Sequence, residues 1–152
     1  MNNTANNGFT ELEGLAWWGI LRSSTLVLRG LGTDMQGDGL QFEWFDVLIN
    51  VYQYPEKAMP LSNLTDNAVL SRSGLTRLLD RMERDGLLER RLSTTDRRRF
   101  DVLLTAKGRA EFERVWPRHQ QAVRDRCLQY LTDDDQKAVH QALAKVIAAN
   151  KA

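Results

Sequence analysis

Between Ser71 and Arg99 the chain carries nine arginines against five acids, a surplus of +4, whereas the whole 152-residue chain is +1 and the remainder is therefore −3. Hydroxyls are interleaved with the arginines. Ser71, Arg72, Ser73, Thr76 and Arg77 form one group, and Asp96, Arg97, Arg98 and Arg99 form a second. An arginine fork bonds the O6/N7 edge of guanine in pairs, and serine or threonine hydroxyls serve bases or phosphates. An arginine at a hairpin tip can reach a narrow minor groove, where A·T segments concentrate negative potential. These residue types in this pattern point to duplex nucleic acid.

Two elements must hold those groups. Leu75, Leu78, Leu79 and Met82 recur at i, i+3, i+4 and i+7, which predicts a helix with one buried stripe. Ser71 is suited to cap its first turn, and Gly86 stands where a left-handed residue would end it. The opposite face carries Ser73, Thr76, Arg77, Asp80, Arg81 and Arg84, of which Arg81 and Arg84 have Glu83 and Asp85 as possible partners. Leu87 to Leu92 reads as a strand, Ser93 to Asp96 as a turn, and Arg97 to Leu104 as a second strand. In that strand Phe100, Val102 and Leu104 alternate as a half-buried face. Arg97 and Arg99 fall on the opposite side of the alternation from Arg98, so they are expected to meet phosphates or solvent.

The run from Ser71 to Arg91, followed by Asp96-Arg97-Arg98 and Leu104-Thr105-Ala106-Lys107-Gly108, closely resembles the MarR (multiple antibiotic resistance regulator) family of winged helix-turn-helix transcription regulators. Fainter similarity extends from about Leu12 to the C-terminus. The resemblance implies a mainly α fold with a small β-hairpin wing. It also implies a winged helix-turn-helix over residues 40–105 and dimerisation helices over 10–36 and 106–150; residues 1–9 read as a flexible tail, and the length as one compact domain per chain. It implies a homodimer on a palindromic double-stranded operator, released by a small effector. It assigns Arg98 to the wing arginine and Asp96 to the acid two residues before it, whose carboxylate would fix the direction of the Arg98 fork.

The totals agree with a soluble chain of one domain, with a core of ordinary size. No apolar run approaches the roughly 20 residues needed to cross a bilayer, and Met1 to Gly8 lacks the basic and apolar regions of a signal peptide. A single Cys forms no internal disulfide, in keeping with a reducing cytoplasm. Two His and one Cys do not assemble a zinc set. With no nucleophile–base pair and no phosphate loop, no enzyme, cofactor or metal is expected.

Around the basic region, apolar residues at helical spacing predict a long first helix from about Thr10 to Met35. A second follows from Gln41 to Gln53 with Phe45, Leu48, Ile49 and Tyr52 inward. Glu56 to Pro60 reads as a connector and Ser62 as the cap of a short helix burying Leu64 and Ala68, with Val69 and Leu70 in the turn that follows. Thr105 should cap a fifth helix with Phe112, Val115, Trp116, His119, Ala122, Val123, Cys127 and Tyr130 on one stripe and a kink at Pro117. Thr132 should cap the last, whose apolar face runs from Ala138 to Ile147.

In the resembled family the effector lies between the dimerisation helices and the helix-turn-helix. Here Trp17, Trp18, Trp44, Asp46, Tyr52, Trp116 and His119 are candidates to line an aromatic slot, against a plain role in packing. Trp44-Phe45-Asp46 is similar to the urate- and phenolate-responsive branch, although the basic residue of that branch falls at Leu78. Two other readings compete: a winged-helix module for an acidic protein partner, and redox regulation through Cys127. The hydroxyl-rich helix start and the Asp96–Arg98 wing disfavour the first, because a protein interface calls for an exposed aromatic anchor there. Cys127, mid-helix on an apolar stripe, is read as structural.

Overall fold

A computed structural model describes residues 8–55, 58–68, 70–94, 96 and 98–150, the Asp38 side chain apart. The element order is α1 (Glu11–Met35), a 3-10 turn at Gln36–Asp38, α2 (Phe42–Gln53), β1 (Met59–Pro60), α3 (Leu61–Asn67), α4 (Arg72–Arg84), β2 (Leu88–Leu92), β3 (Phe100–Leu104), α5 (Ala106–Arg126), a second 3-10 turn at Leu128–Tyr130, and α6 (Asp133–Asn150). The expected class, mainly α with a small β wing, is the one observed. Two compact units divide the chain: Met1–Thr33 with Ala122–Ala152, and Asp34–Gln121.

The Asp34–Gln121 unit has a continuous apolar core. Phe45, Val47, Leu48 and Val51 of α2, Leu64 of α3, the whole α4 stripe, Leu88, Val102, Phe112 and Val115 are all buried in it. The α4 stripe is sealed because its spacing puts four aliphatic side chains on one face, each 0–1% exposed. The sheet has the order β1-β3-β2, both pairings antiparallel. The connector read over Glu56 to Pro60 thus ends in a strand, Met59 pairing with Val102 and Pro60 with Asp101. A proline is tolerated there because β1 lies at the sheet edge; Glu56 and Lys57 lie outside the described residues.

In the other unit, α1 begins with a capping box: Thr10 N–H donates to Glu13 Oε2 at 2.7 Å, and Glu13 N–H donates to Thr10 Oγ1 at 3.2 Å. α6 opens the same way on Thr132 and Asp135. Both helices carry large exposed apolar side chains: Leu12, Leu15, Trp17, Trp18, Ile20, Leu26 and Leu28 on α1, and Val139, Val146 and Ile147 on α6.

Three local expectations are corrected. Ser62 does not cap α3: the cap position is Pro60, the helix starts at Leu61, and the Ser62 hydroxyl faces Asn63 Oδ1 at 3.5 Å. Cys127 is not mid-helix: α5 ends at Arg126, and Cys127, at φ −139°, precedes the second 3-10 turn, which leaves Tyr130 74% exposed. Phe100 does not join Val102 inside; it is 45% exposed opposite the exposed Leu92.

Candidate nucleic-acid interface

Ser71 stands in extended conformation before α4, and its Oγ accepts the Gly74 N–H at 3.3 Å. The cap satisfies one of the free first-turn donors and leaves the positive end of the helix dipole at the surface. Arg72, Ser73, Thr76 and Arg77 are all exposed on the turns that follow. Thr76 Oγ1 returns to the Arg72 carbonyl at 3.1 Å, so its hydroxyl keeps acceptor capacity for a ligand. At the other end Gly86 adopts φ +73°, and Leu87 N–H reaches back to the Met82 carbonyl at 2.9 Å, closing the helix.

The hairpin β2–β3 carries the second basic group. Asp96 Oδ1 accepts the backbone N–H of Arg98 at 3.0 Å, and Asp96 Oδ2 lies 3.2 Å from Nε of Arg99. This corrects the expected pairing: the Asp96 carboxylate engages the Arg99 guanidinium and the main chain of Arg98, not the Arg98 fork. A short carboxylate bonds most readily to the N–H two residues on, which forms an Asx turn, and its second oxygen then meets Arg99 at i+3. Arg97 lies outside the described residues. Arg98 and Arg99 are exposed.

Helix and wing converge. Arg72 and Thr76 of α4 share an open cleft of about 440 Å³ with Arg98, Arg99 and Phe100 of the wing and with Leu61, Ser62 and Thr65 of α3. Leu61, Thr65 and Phe100 were not singled out as site residues, because neither the α3 start nor an outward-facing Phe100 shows in the periodicity. On the other flank of α4, Arg77, Arg81 and Arg84 line a second open groove of about 720 Å³ with Gln41 and Glu43. Glu83 is not the partner of Arg81 or Arg84, because it bonds Arg90 of β2.

The aromatic candidates divide between the two units. Trp17 and Trp18 lie on α1, 47% and 66% exposed. Tyr52, Trp116 and His119 join one stack in the Asp34–Gln121 unit, in which Phe45 lies 4.4 Å from His119 and 6.3 Å from Trp116, and Phe112 lies 4.2 Å from Tyr52. Trp44 packs partly buried against the same core. Its Nε1 and the Nδ1 of His119 are buried with no hydrogen-bond partner. Asp46 accepts from Asn50 Nδ2 through its carbonyl at 2.7 Å and its carboxylate at 3.3 Å. Among the described residues no cluster of His, Cys, Asp and Glu is placed to hold a metal, and no helix is long and apolar enough to cross a membrane.

Burial pushes the His119 imidazole below its usual pKa of 6.5. The unfolded chain therefore takes up this proton before the folded one does. Stability from this group is complete above about pH 6.5 and falls as the pH drops toward the lower folded value. Urea midpoints measured from pH 7 to pH 5 should decline less steeply for His119→Gln than for the parent. Parallel curves would mean that the ring takes its proton in the folded state at no cost.

A profile of the MarR family matches residues 38–99. The HTH-type transcriptional repressor YetL of Bacillus subtilis (strain 168) is 30% identical over 83 residues, which cover 55% of this chain and 50% of YetL. The chain thus spans about half the length of the curated relatives it matches. Among solved structures, AbsC, a MarR family transcriptional regulator from Streptomyces coelicolor, is 27% identical with a TM-score of 0.82, covering 95% of this chain and 97% of AbsC. Sco3205 from the same organism, solved in complex with DNA, is 25% identical with a TM-score of 0.82, covering 99% of this chain and 94% of its own.

Proposed function

We propose that the chain is a MarR family member and a sequence-specific regulator of transcription, a repressor that binds a palindromic double-stranded operator as a homodimer and answers to a small aromatic effector. The observation that carries the reading is the convergence of Arg72 and Thr76 of a Ser71-capped helix with Arg98 and Arg99 of the wing on one open cleft. A capped, dipole-positive helix start with exposed Ser73, Thr76 and Arg77 suits the major groove. The Asx-turned tip that presents Arg98 suits the phosphates or the minor groove beside it. Arg97, by its sequence position, and Arg99, tied to Asp96, are assigned to the same tip. The likeness to the transcriptional repressor YetL, to the regulator AbsC and to Sco3205, solved in complex with DNA, supports regulation through DNA.

Dimerisation is supported by the apolar surface of α1 and α6. No residue of α6 is buried, yet Val139, Val146 and Ile147 stand exposed on one face. A two-fold pairing of such faces is self-complementary, and reading two half-sites requires two recognition helices about 34 Å apart, one turn of DNA. An effector is supported by the orphaned Trp44 Nε1 donor and His119 Nδ1, since a ligand with polar atoms and an aromatic ring would satisfy buried polar atoms that otherwise cost about 1–3 kcal/mol each. Tyr52 and Trp116 supply ring surface beside His119, and Asp46 of the same unit is a weaker member of this assignment. A ligand that prefers the wrong half-site spacing weakens DNA binding by the same factor by which DNA weakens ligand binding.

The test is fluorescence anisotropy with duplexes selected from a random pool, at several salt concentrations. Tight binding with a steep salt slope is expected. Arg98→Ala should weaken it by about 1–3 kcal/mol, roughly 5- to 150-fold. Equal affinity for selected and scrambled duplexes would rule out a specific regulator and leave the protein-binding module standing.

A further inference from the structure

β2 is an outer strand of the sheet, and the direction of its N–H groups follows from the register. Ser93 N–H donates to the Arg99 carbonyl and Thr105 N–H to the Leu87 carbonyl. The positions Leu88↔Leu104, Arg90↔Val102 and Leu92↔Phe100 are therefore the non-hydrogen-bonded pairs. The Arg90 N–H points away from the sheet, where an edge strand would expose it. Glu83 of α4 takes it instead, its Oε1 accepting at 2.9 Å. The other oxygen, Oε2, accepts Arg90 Nε at 2.9 Å and Nη2 at 2.5 Å, and Nη2 also lies 2.7 Å from Asp80 Oδ1. One residue of the wing is thus tied, through main chain and side chain, to two carboxylates three residues apart on the recognition helix. Those bonds hold the Glu83 carboxyl below its ordinary pKa.

We propose that Arg90 is a positioning residue that fixes the recognition helix against the wing and so sets sequence discrimination without touching DNA. The proposal rests on the DNA-binding reading above. Glu83 and Asp80 lie toward the C-terminal end of α4, while the face that would meet DNA starts at Arg72. From Glu83 to Arg72 the helix rises about 16 Å, so a tilt of about 10° at the clamp moves the reading end by about 3 Å, a full hydrogen-bond length. Non-specific phosphate binding tolerates such a shift, but paired hydrogen bonds to base edges do not. The charge balance separates this role from direct contact: two carboxylates flank one guanidinium, so the cluster is net negative and unsuited to a phosphate.

The test measures binding of the full chain to a selected operator and to a scrambled duplex over a range of salt, below the thermal midpoint of each variant. Arg90→Met keeps the stem and removes the fork. It should cost about tenfold or more on the operator, the worth of a lost base contact, with scrambled-duplex affinity and salt slope unchanged. Arg90→Lys should recover part of the loss. Uniform weakening on both duplexes with a salt slope reduced by about one unit would make Arg90 a phosphate contact and overturn the proposal. So would an unchanged operator-to-scrambled ratio beside a lowered thermal midpoint, which is the mark of stability alone. If Arg90→Met does not fold, Asp80→Asn cuts one arm of the clamp and should lower the same ratio; an unchanged ratio again overturns the proposal. A parent protein that fails to distinguish the duplexes would remove the DNA reading itself, an outcome distinct from failure of the Arg90 variants.

Discussion

Phe112→Ala is expected to lower the unfolding free energy by about 3–5 kcal/mol, the cost of emptying an aromatic site in a packed core. Phe112 is 2% exposed. Its ring centroid lies 4.2 Å from that of Tyr52, 5.2 Å from Trp116 and 5.6 Å from Phe45. The neighbours are rigid rings held on α2 and α5, with two rotatable bonds each, so they have little freedom to close the void. A marginally stable domain commonly has only about 5–15 kcal/mol in total, so the loss is a large share of it. Urea denaturation should show the midpoint falling with the slope unchanged, and Phe112→Leu should lose less than half as much. A loss under about 1 kcal/mol for the alanine variant would mean that Trp116 or Tyr52 swings into the space.

The stack to which Phe112 belongs was only partly legible in the sequence. Phe45, Tyr52, Phe112, Trp116 and His119 sit at helical spacing on two segments, which predicts inward faces. Which ring lies against which depends on how α2 and α5 cross, and periodicity carries no information on that. The recognition helix was legible almost to the residue, because Ser71, the Leu75–Met82 stripe and Gly86 each signal locally and agree. Where two short-range signals competed, the reading slipped. Ser62 has a capping side chain, but Pro60 carries the fixed φ that starts α3 two residues earlier. Asp96 has two arginines within reach, and main-chain geometry, not charge, decides which guanidinium it meets. The Arg90–Glu83–Asp80 cluster was out of reach altogether, because Glu83 has Arg84 and Arg81 closer in sequence. Only the docking of β2 against α4 brings Arg90 to it. Phe100 stands at the turn end of the hairpin, paired with the exposed Leu92, where the alternation of the strand no longer means burial.

Gly108→Ala should destabilise the fold and weaken operator binding together, although alanine is the better helix former. Gly108 is buried in the first turn of α5, and a Cβ there would stand 1.8 Å from the Leu87 carbonyl oxygen and 2.8 Å from its carbon. The contact is with main chain, so no side-chain rotation relieves it. The Leu87 peptide is also held. Its oxygen accepts the Thr105 N–H at 3.2 Å, while the Gly86 oxygen beside it accepts Thr105 Oγ1 at 2.6 Å. Lys107 Nζ ties the Asp85 carbonyl at 2.7 Å to the same corner. The chain between recognition helix and wing therefore moves as a piece or not at all. Overpacking of this kind costs about 3 kcal/mol or more when backbone must shift, and alanine returns about 1 kcal/mol in helix propensity. A net loss of about 2 kcal/mol or more is expected in denaturant melts. Any shift of the Leu87 corner turns α4 relative to β2, so operator affinity measured below the melting range should fall as well. Gly86→Ala provides the comparison: its penalty of about 1–2 kcal/mol comes from the left-handed φ alone, with no atom within 4 Å of the new Cβ. It should leave α5 seated and cost less in binding. A Gly108→Ala protein as stable as its parent, with operator affinity intact, would show that the Leu87 corner yields freely and that the close approach is not what joins the wing to α5.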